Sequence, residues 1–429
     1  MSLVRVKSQL CQGISQYDRC SPNSACVCFY LADAIDVGIC GNEFVNCPEL
    51  VPCERSNNFC REPNHRCVHH PRCHNLPVCY PIPSFNQQLC PPIATTNTTT
   101  AAAISTTATS ATTIPTTTTI TTQQSMIPNI PINAQWTQNG VTVAGGHGRG
   151  NATNQLYYPE SLLIDNDQIM VIADSSNHRI IQWKMDDTNG QVIAGGNGEG
   201  NRLDQLNNPT SVLIDKETDS LIICDRENRR VVRWSRHSGT TQGEILIDNI
   251  TCEGLAMDDQ RYLYISDSNK HEVRRYQIED KNGTIVAGGH GKDTGLNQLN
   301  WPTYLFVDQQ QTVYVSDNVN HRVIKWNTSA KEGIIVAGGQ GPANAMTQLQ
   351  HPHGLFVDTL GTLYVADALN HRVMRWPKEA KQGTVIVGGN GEGAGANQFK
   401  GTTGLSFDRQ GNLYVVDWEN HRVQRFSIE

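Results

Sequence analysis

Residues 367–376 read DALNHRVMRW, with an Asp, an Asn, a His and an Arg inside six positions. Those residue types can build a metal or acid–base site, but the stretch does not stand alone. DSSNHRIIQW starts at Asp174, DRENRRVVRW at Asp225, DSNKHEVRRY at Asp267, DNVNHRVIKW at Asp317 and DWENHRVQRF at Asp417. The six copies are spaced by 51, 42, 50, 50 and 50 residues. A period in this range marks a repeat architecture in which each copy is one supersecondary unit. A reaction centre is normally built once. A residue set present six times at one structural position reads as what holds the repeat together.

Each copy has the same grammar. In the unit 352–389, an apolar run ending in Asp (GLFVD) is followed by a turn with Gly, an alternating run (TLYVAD), a short turn, a third run (HRVMRW), a Gly-bearing loop and GTVIVGG. That predicts four short strands separated by turns. No stretch of the region has a helical period. Four antiparallel strands repeated six times is the pattern of an all-β, six-bladed propeller. The last copy supplies only three strands, GLSFD, LYVVD and RVQRF. An orphan fourth-strand match, GVTVAGG at 140–146, precedes the first copy. We expect this strand to complete the last blade and close the ring, which removes two exposed sheet edges.

These units resemble NHL repeats, named for an Asn-His-Leu-type triplet that reads Asn370-His371-Arg372 here. The resemblance covers about 300 residues and leaves the first 130 outside it. It implies that Asp174, Asp225, Asp267, Asp317, Asp367 and Asp417 face the triplet turns that carry His178, His321, His371 and His421. A carboxylate there can accept hydrogen bonds from turn amides and from Arg, and so pin the second strand to the third. The aromatic closing each third strand, such as Trp376, is expected to pack between blades. The third copy departs, with Lys270 and Glu272 where other copies have Asn and Arg, and irregular structure is expected there. Cys224 and Cys252 could form a disulfide between neighbouring blades or remain two buried thiols.

The chain before the repeats is of another kind. Cys11, Cys20, Cys26, Cys28, Cys40, Cys47, Cys53, Cys60, Cys67, Cys73, Cys79 and Cys90 make a disulfide-scaffold density, which belongs to an oxidising compartment. No C-x2-C pair favours zinc, although His70 and Cys73 make one H-x2-C step. From Ala94 to Thr122 the sequence is Thr-rich and uncharged, the composition of an O-glycosylated stalk or a plain linker. The expected organisation is therefore a disulfide-stapled module at 1–92, a stalk or linker at 93–132 and the propeller at 133–429. N-x-S/T acceptor sites at Asn97, Asn151, Asn249, Asn282 and Asn327 agree with a secreted, extracellular glycoprotein. MSLVRVKSQL shows no apolar leader, so a secreted chain is expected to start upstream of Met1. No run of 18 apolar residues is present to span a membrane.

Function in a propeller is carried by the loops around the channel. The position at the start of each innermost strand holds Glu160, Thr210, Glu253, Thr303, His353 and Thr403. Glu160, Glu253 and His353 could hold a divalent cation, Ca or Zn, with the threonines and water completing the shell, or they could be solvated pore residues. Peptide-amidating lyases of similar fold need several ring histidines, and calcium lactonases need Glu, Asn and Asp; each set is incomplete here. No Gly-x-Ser-x-Gly elbow or phosphate loop occurs. RNA binding, known among NHL propellers, needs a basic face. This chain carries a net charge of −7, although Arg229, Arg230, Arg233 and Arg236 cluster. The reading that fits most features is an extracellular adaptor that presents a rigid loop face to a protein or glycan. A metal-dependent lyase or hydrolase, and an RNA-binding or ubiquitin-ligase-related protein, are the alternatives.

Overall fold

The computed structural model describes residues 128, 130–165, 167–237, 239–278 and 280–429, together with the backbone of six short strands in the first 81 residues. Those six strands pair into two antiparallel three-stranded sheets. The side chains of the twelve cysteines from Cys11 to Cys90, Asn97 and the Thr-rich stretch lie outside the described residues.

From Val141 onward the chain forms six four-stranded antiparallel sheets, the blades of a propeller. Blade 5 shows how the sequence produces one. Its strands are Pro352–Val357, Leu363–Asp367, Arg372–Trp376 and Thr384–Gly388, from the channel outward. The second strand is buried at every position. It is covered on both faces by neighbouring blades, so it reads as a continuous apolar run. The fourth strand exposes its first residue and buries its last three. A bulge lies between Val373 and Met374, and the strand then ends in paired glycines. Gly388 (φ +76°) requires a glycine twice over. A Cβ there would be strained by the left-handed backbone and would sit 2.6 Å from the His371 carbonyl oxygen.

Blade 6 is closed as the sequence predicts. Its strands Thr402–Phe407, Leu413–Asp417 and Arg422–Phe426 are completed by Val141–Gly145, with Arg422 paired to Gly145 and Arg425 to Val141. The preceding residues also join this blade. Trp136 is buried and donates from its indole to the Gly411 carbonyl at 2.9 Å, and Ile130 is fully buried. The hydrophobic core is divided into six clusters, each between two consecutive blades. Trp376, for example, packs with Tyr314, Val323 and Leu355 between blades 4 and 5.

Blade 3 is not irregular. Its strands Cys252–Met257, Tyr262–Asp267, Glu272–Gln277 and Thr284–Gly288 pair in the common register. The odd residues alter its side-chain bonds, not its backbone, because the ladder is made by groups every residue carries. What is shortened is the link into the blade. Only Asn249–Thr251 separate Asp248, the last residue of blade 2, from Cys252.

Candidate functional site

The repeated polar residues form two kinds of link. Within blade 5, Asp367 Oδ2 accepts from Arg372 Nε at 2.7 Å and Asn370 Nδ2 at 2.8 Å, and Oδ1 accepts from the Gln350 amide at 2.6 Å. The Arg372 guanidinium also donates to the carbonyls of Asn344, Ala345 and Gln348. One buried ion pair thus ties the second strand, the third strand and the incoming loop together. Arg179–Asp174, Arg230–Asp225, Arg322–Asp317 and Arg422–Asp417 repeat it at 2.6–2.7 Å. Burial pushes the Asp367 carboxyl up, but the Gln350 amide, Asn370 and Arg372 oppose it. Only donors face it, so it is held as a carboxylate. The amide donor belongs to the loop before the blade, not to the triplet turn. Blade 3 is the exception. Asp267 there accepts from the turn amides of Asn269 and Lys270, and Glu272 replaces the Arg.

The triplet histidines link blades to each other. His371 caps its turn in the left-handed conformation (φ 52°), and its Nδ1 accepts from the Gly401 amide at 3.2 Å. His178 reaches Asn208, His271 reaches Trp301, His321 reaches His351 and His421 reaches Tyr158 in the same way, each at 3.2 Å. An Nδ1 that accepts from an amide presents its lone pair to it, which leaves Nε2 as the ring's remaining polar atom. The seam between blades 2 and 3 has Arg229 at the triplet position. There the Cys224–Cys252 disulfide joins the two blades instead. Five seams carry an imidazole link and the sixth a covalent one.

Clamp turns and inner-strand starts lie on one face, and the channel opens at its centre. A cavity of about 190 Å³ there is lined by Glu160, Ser175, Asn208, Thr210, Arg226, Glu253, Trp301 and His353. The structure therefore brings Glu160, Glu253 and His353 to one place. His353 Nε2 lies 3.9 Å from Glu160 Oε2, and about a fifth of each side chain is exposed to the channel. Glu253 is more deeply buried and accepts from Arg226 Nε at 2.7 Å and Ser268 Oγ at 3.0 Å. Burial pushes the Glu160 carboxyl up to about 8; the Glu253 carboxylate adds to this, and Arg226 and the Trp418 indole oppose it. That indole N–H makes no hydrogen bond of ordinary length. Burial pulls His353 down to about 4, with His351 adding to the effect. The buried His353 Nδ1 has no hydrogen-bond partner.

The threonines do not complete a ligand shell. Thr210, Thr303 and Thr403 donate to the carbonyls of Cys252, Pro352 and Pro159, each on the next blade's inner strand. Among the described residues no group of three or more His, Cys, Asp or Glu side chains is placed to hold a metal ion. A Ca or Zn ion at Glu160, Glu253 and His353 would have to displace the Arg226 guanidinium from the Glu253 Oε1 that it holds at 2.7 Å.

Sequence reasoning missed Arg226 and Trp301. Arg226 follows the clamp Asp, a position held by Ser175, Arg226, Ser268, Asn318, Ala368 and Trp418 in the six copies. Its differing occupants were the available signal. Trp301 is 41% exposed at the rim, with the Arg226 guanidinium 5.7 Å from its ring centroid. Across the mouth, Tyr158 packs on Trp418 with ring centroids 4.5 Å apart.

The arginine cluster does not form a basic face. Arg230 is buried in a clamp, Arg229 donates to Asn249 Oδ1, Arg233 pairs with Glu244, and Arg236 pairs with Asp219 and Asp165. The acceptor sites Asn151, Asn249, Asn282 and Asn327 are all exposed. A wider cleft of about 1200 Å³ runs between blades 4 and 5 away from the channel, past Lys325, Ile334, Leu360 and Lys378.

Residues 402–426, the first three strands of blade 6, match the NHL repeat family. The same grammar recurs in the other blades, so the chain carries NHL-type repeats in a six-bladed propeller. No curated protein matches the chain. Among solved structures it is similar to an auxiliary nutrient binding protein from Bacteroides thetaiotaomicron, at 16% identity and a TM-score of 0.55, over 69% of this chain and 77% of that one. An auxiliary nutrient binding protein from Bacteroides ovatus is similar at 14% identity and a TM-score of 0.51, over 69% and 78%. A protein of unknown function from Bacteroides thetaiotaomicron is similar at 17% identity and a TM-score of 0.54, over 69% and 77%. At these identities the likeness establishes the fold. No helix among the described residues is long and apolar enough to cross a membrane.

Proposed function

We propose that the propeller is the binding domain of an extracellular adaptor, and that its clamp face, centred on the channel mouth, receives a protein or glycan partner. One observation carries this reading. Positions the ring needs hold nearly the same residue in every copy, whereas mouth positions differ from blade to blade. Inner-strand starts read Glu160, Thr210, Glu253, Thr303, His353 and Thr403, and the positions after the clamp Asp are equally mixed. Three of the inner-strand starts are threonines that link neighbouring blades, but packing that repeats six times does not explain Glu160, Glu253, His353 and Arg226 at otherwise equivalent positions, so their identities answer to something the mouth contacts. The exposed acceptor asparagines and the inter-blade disulfide support an oxidising, extracellular setting. The net charge of −7 and the paired arginines count against a nucleic acid.

The Glu160–His353 pair keeps a second reading open, a hydrolase or lyase that uses them as acid and base. Arrays of extracellular proteins and glycans probed with the full chain separate the two. Binding lost in Trp301→Ala but kept in Leu360→Ala, on the opposite face, is the expected result. Hydrolysis of lactone or ester substrates, or stoichiometric metal found by elemental mass spectrometry and lost in Glu160→Ala, would overturn the adaptor reading.

A further inference from the structure

We propose that the channel mouth is a receptor for a lysine side chain, so that the partner is a protein presenting an exposed lysine. The inference rests on reading the clamp face as a binding face and names what that face recognises. Three observations carry it: charge, the remaining hydrogen-bond capacity and size.

One guanidinium at the mouth serves several carboxylates. Arg226 pairs with Glu253 at 2.7 Å and with Glu227 at 2.5 Å, and among the described residues no Lys or Arg is ion-paired with Glu160. Arg226 alone leaves one of its two paired carboxylates unmatched, so a second cation would offset that charge, whereas an anion would meet Glu253 and Glu227. The groups facing Glu160 across the cavity are Arg226, Glu253, His353 and Trp301, with Trp418 beside it. The capacity left over matches an ammonium group. Glu160 has oxygens to accept with, and a neutral His353 can offer a lone pair 3.9 Å from the nearer one. A lysine head supplies three donors and no acceptor.

The cavity has room for the bearer of that ammonium. A cavity of about 190 Å³ holds roughly six groups the size of a water, at about 30 Å³ each. The five heavy atoms from lysine Cβ to Nζ fit this. The half-exposed Trp301 at the rim gives the methylene stem an apolar face to lie on. Burial of Glu160 is then relieved rather than tolerated, because the incoming charge offsets the desolvation that now holds its proton on.

The test uses the full chain labelled with 5-fluorotryptophan, with the Trp301 and Trp418 resonances assigned by Trp→Phe variants. The probes are Nα-acetyl-lysine N-methylamide, its neutral isostere Nα-acetyl-norleucine N-methylamide, and N-acetylglucosamine. We expect the lysine amide alone to shift both resonances, with a Kd of about 1–10 mM, as befits one side chain without its surroundings. Glu160→Gln should weaken it about tenfold or more while the buried Trp183 and Trp326 signals stay in place. Equal shifts from the norleucine amide or from N-acetylglucosamine would overturn the lysine inference and leave the binding face standing. Silence from all three probes at both tryptophans would overturn both.

Discussion

At the scale of single residues, Asp367 and Glu160 are both carboxylates on one face of a β-propeller, yet their surroundings separate them. Asp367 is fully buried and bonded to Arg372, Asn370 and a backbone amide. Replacing it with Asn leaves the buried guanidinium without its charge partner, and breaking such a pair costs about 3–5 kcal/mol. Asp367→Asn should therefore lower the unfolding free energy by that amount, seen as a lower urea midpoint at unchanged slope, which equilibrium denaturation in urea would measure. The clamp was legible in the sequence because its Asp recurs six times and its Arg five, so chance similarity at one copy could be discounted. Arg226 was not legible. It acts across a blade boundary on Glu253, 27 positions away, and nothing local marks that reach.

At the scale of elements, the strands followed from alternation and turn residues, and the closing strand followed from the missing fourth run of blade 6. The bonds between blades did not. A histidine in a turn shows that it caps the turn, but not that its Nδ1 reaches an amide 30 residues on. The pairing of Cys224 with Cys252 could be suggested but not decided from spacing. The seams carry a prediction. His321→Ala leaves the His351 amide without its acceptor and should cost about 1–2 kcal/mol. Cys224→Ala/Cys252→Ala removes the only covalent seam among the described residues and should cost about 2–4 kcal/mol. Differential scanning calorimetry of both variants would show the ordering. The histidine seams also weaken in acid. Burial lowers His271, His321 and His421, with nearby positive groups adding to it. A base lowered on folding contributes stability that is complete above its unfolded value of about 6.5 and is lost as pH falls through its folded value. Stability should therefore decline below about pH 6.5 in the parent, and less steeply in His321→Ala.

At the scale of the whole molecule, the ring is a repeated scaffold with one unrepeated place in it. The scaffold was readable because its residues recur at a period of about 50. The mouth could be located from the sequence but not described, because its geometry is assembled from five blades at once. The central claim is that Glu160 at the mouth does not serve the ring. The most direct measurement is thermal unfolding of Glu160→Gln beside the parent chain at pH 4 and pH 8.5. Folding raises the Glu160 carboxyl from 4.5 to about 8, so its stability contribution is intact below the lower value and lost as pH rises through the upper one. Glutamine has no charge to lose. The account predicts equal midpoints at pH 4 and a variant midpoint higher by ~2 °C or more at pH 8.5. A variant that unfolds earlier than the parent at both pH values, as the clamp variant Asp367→Asn should, would contradict it and return Glu160 to the scaffold.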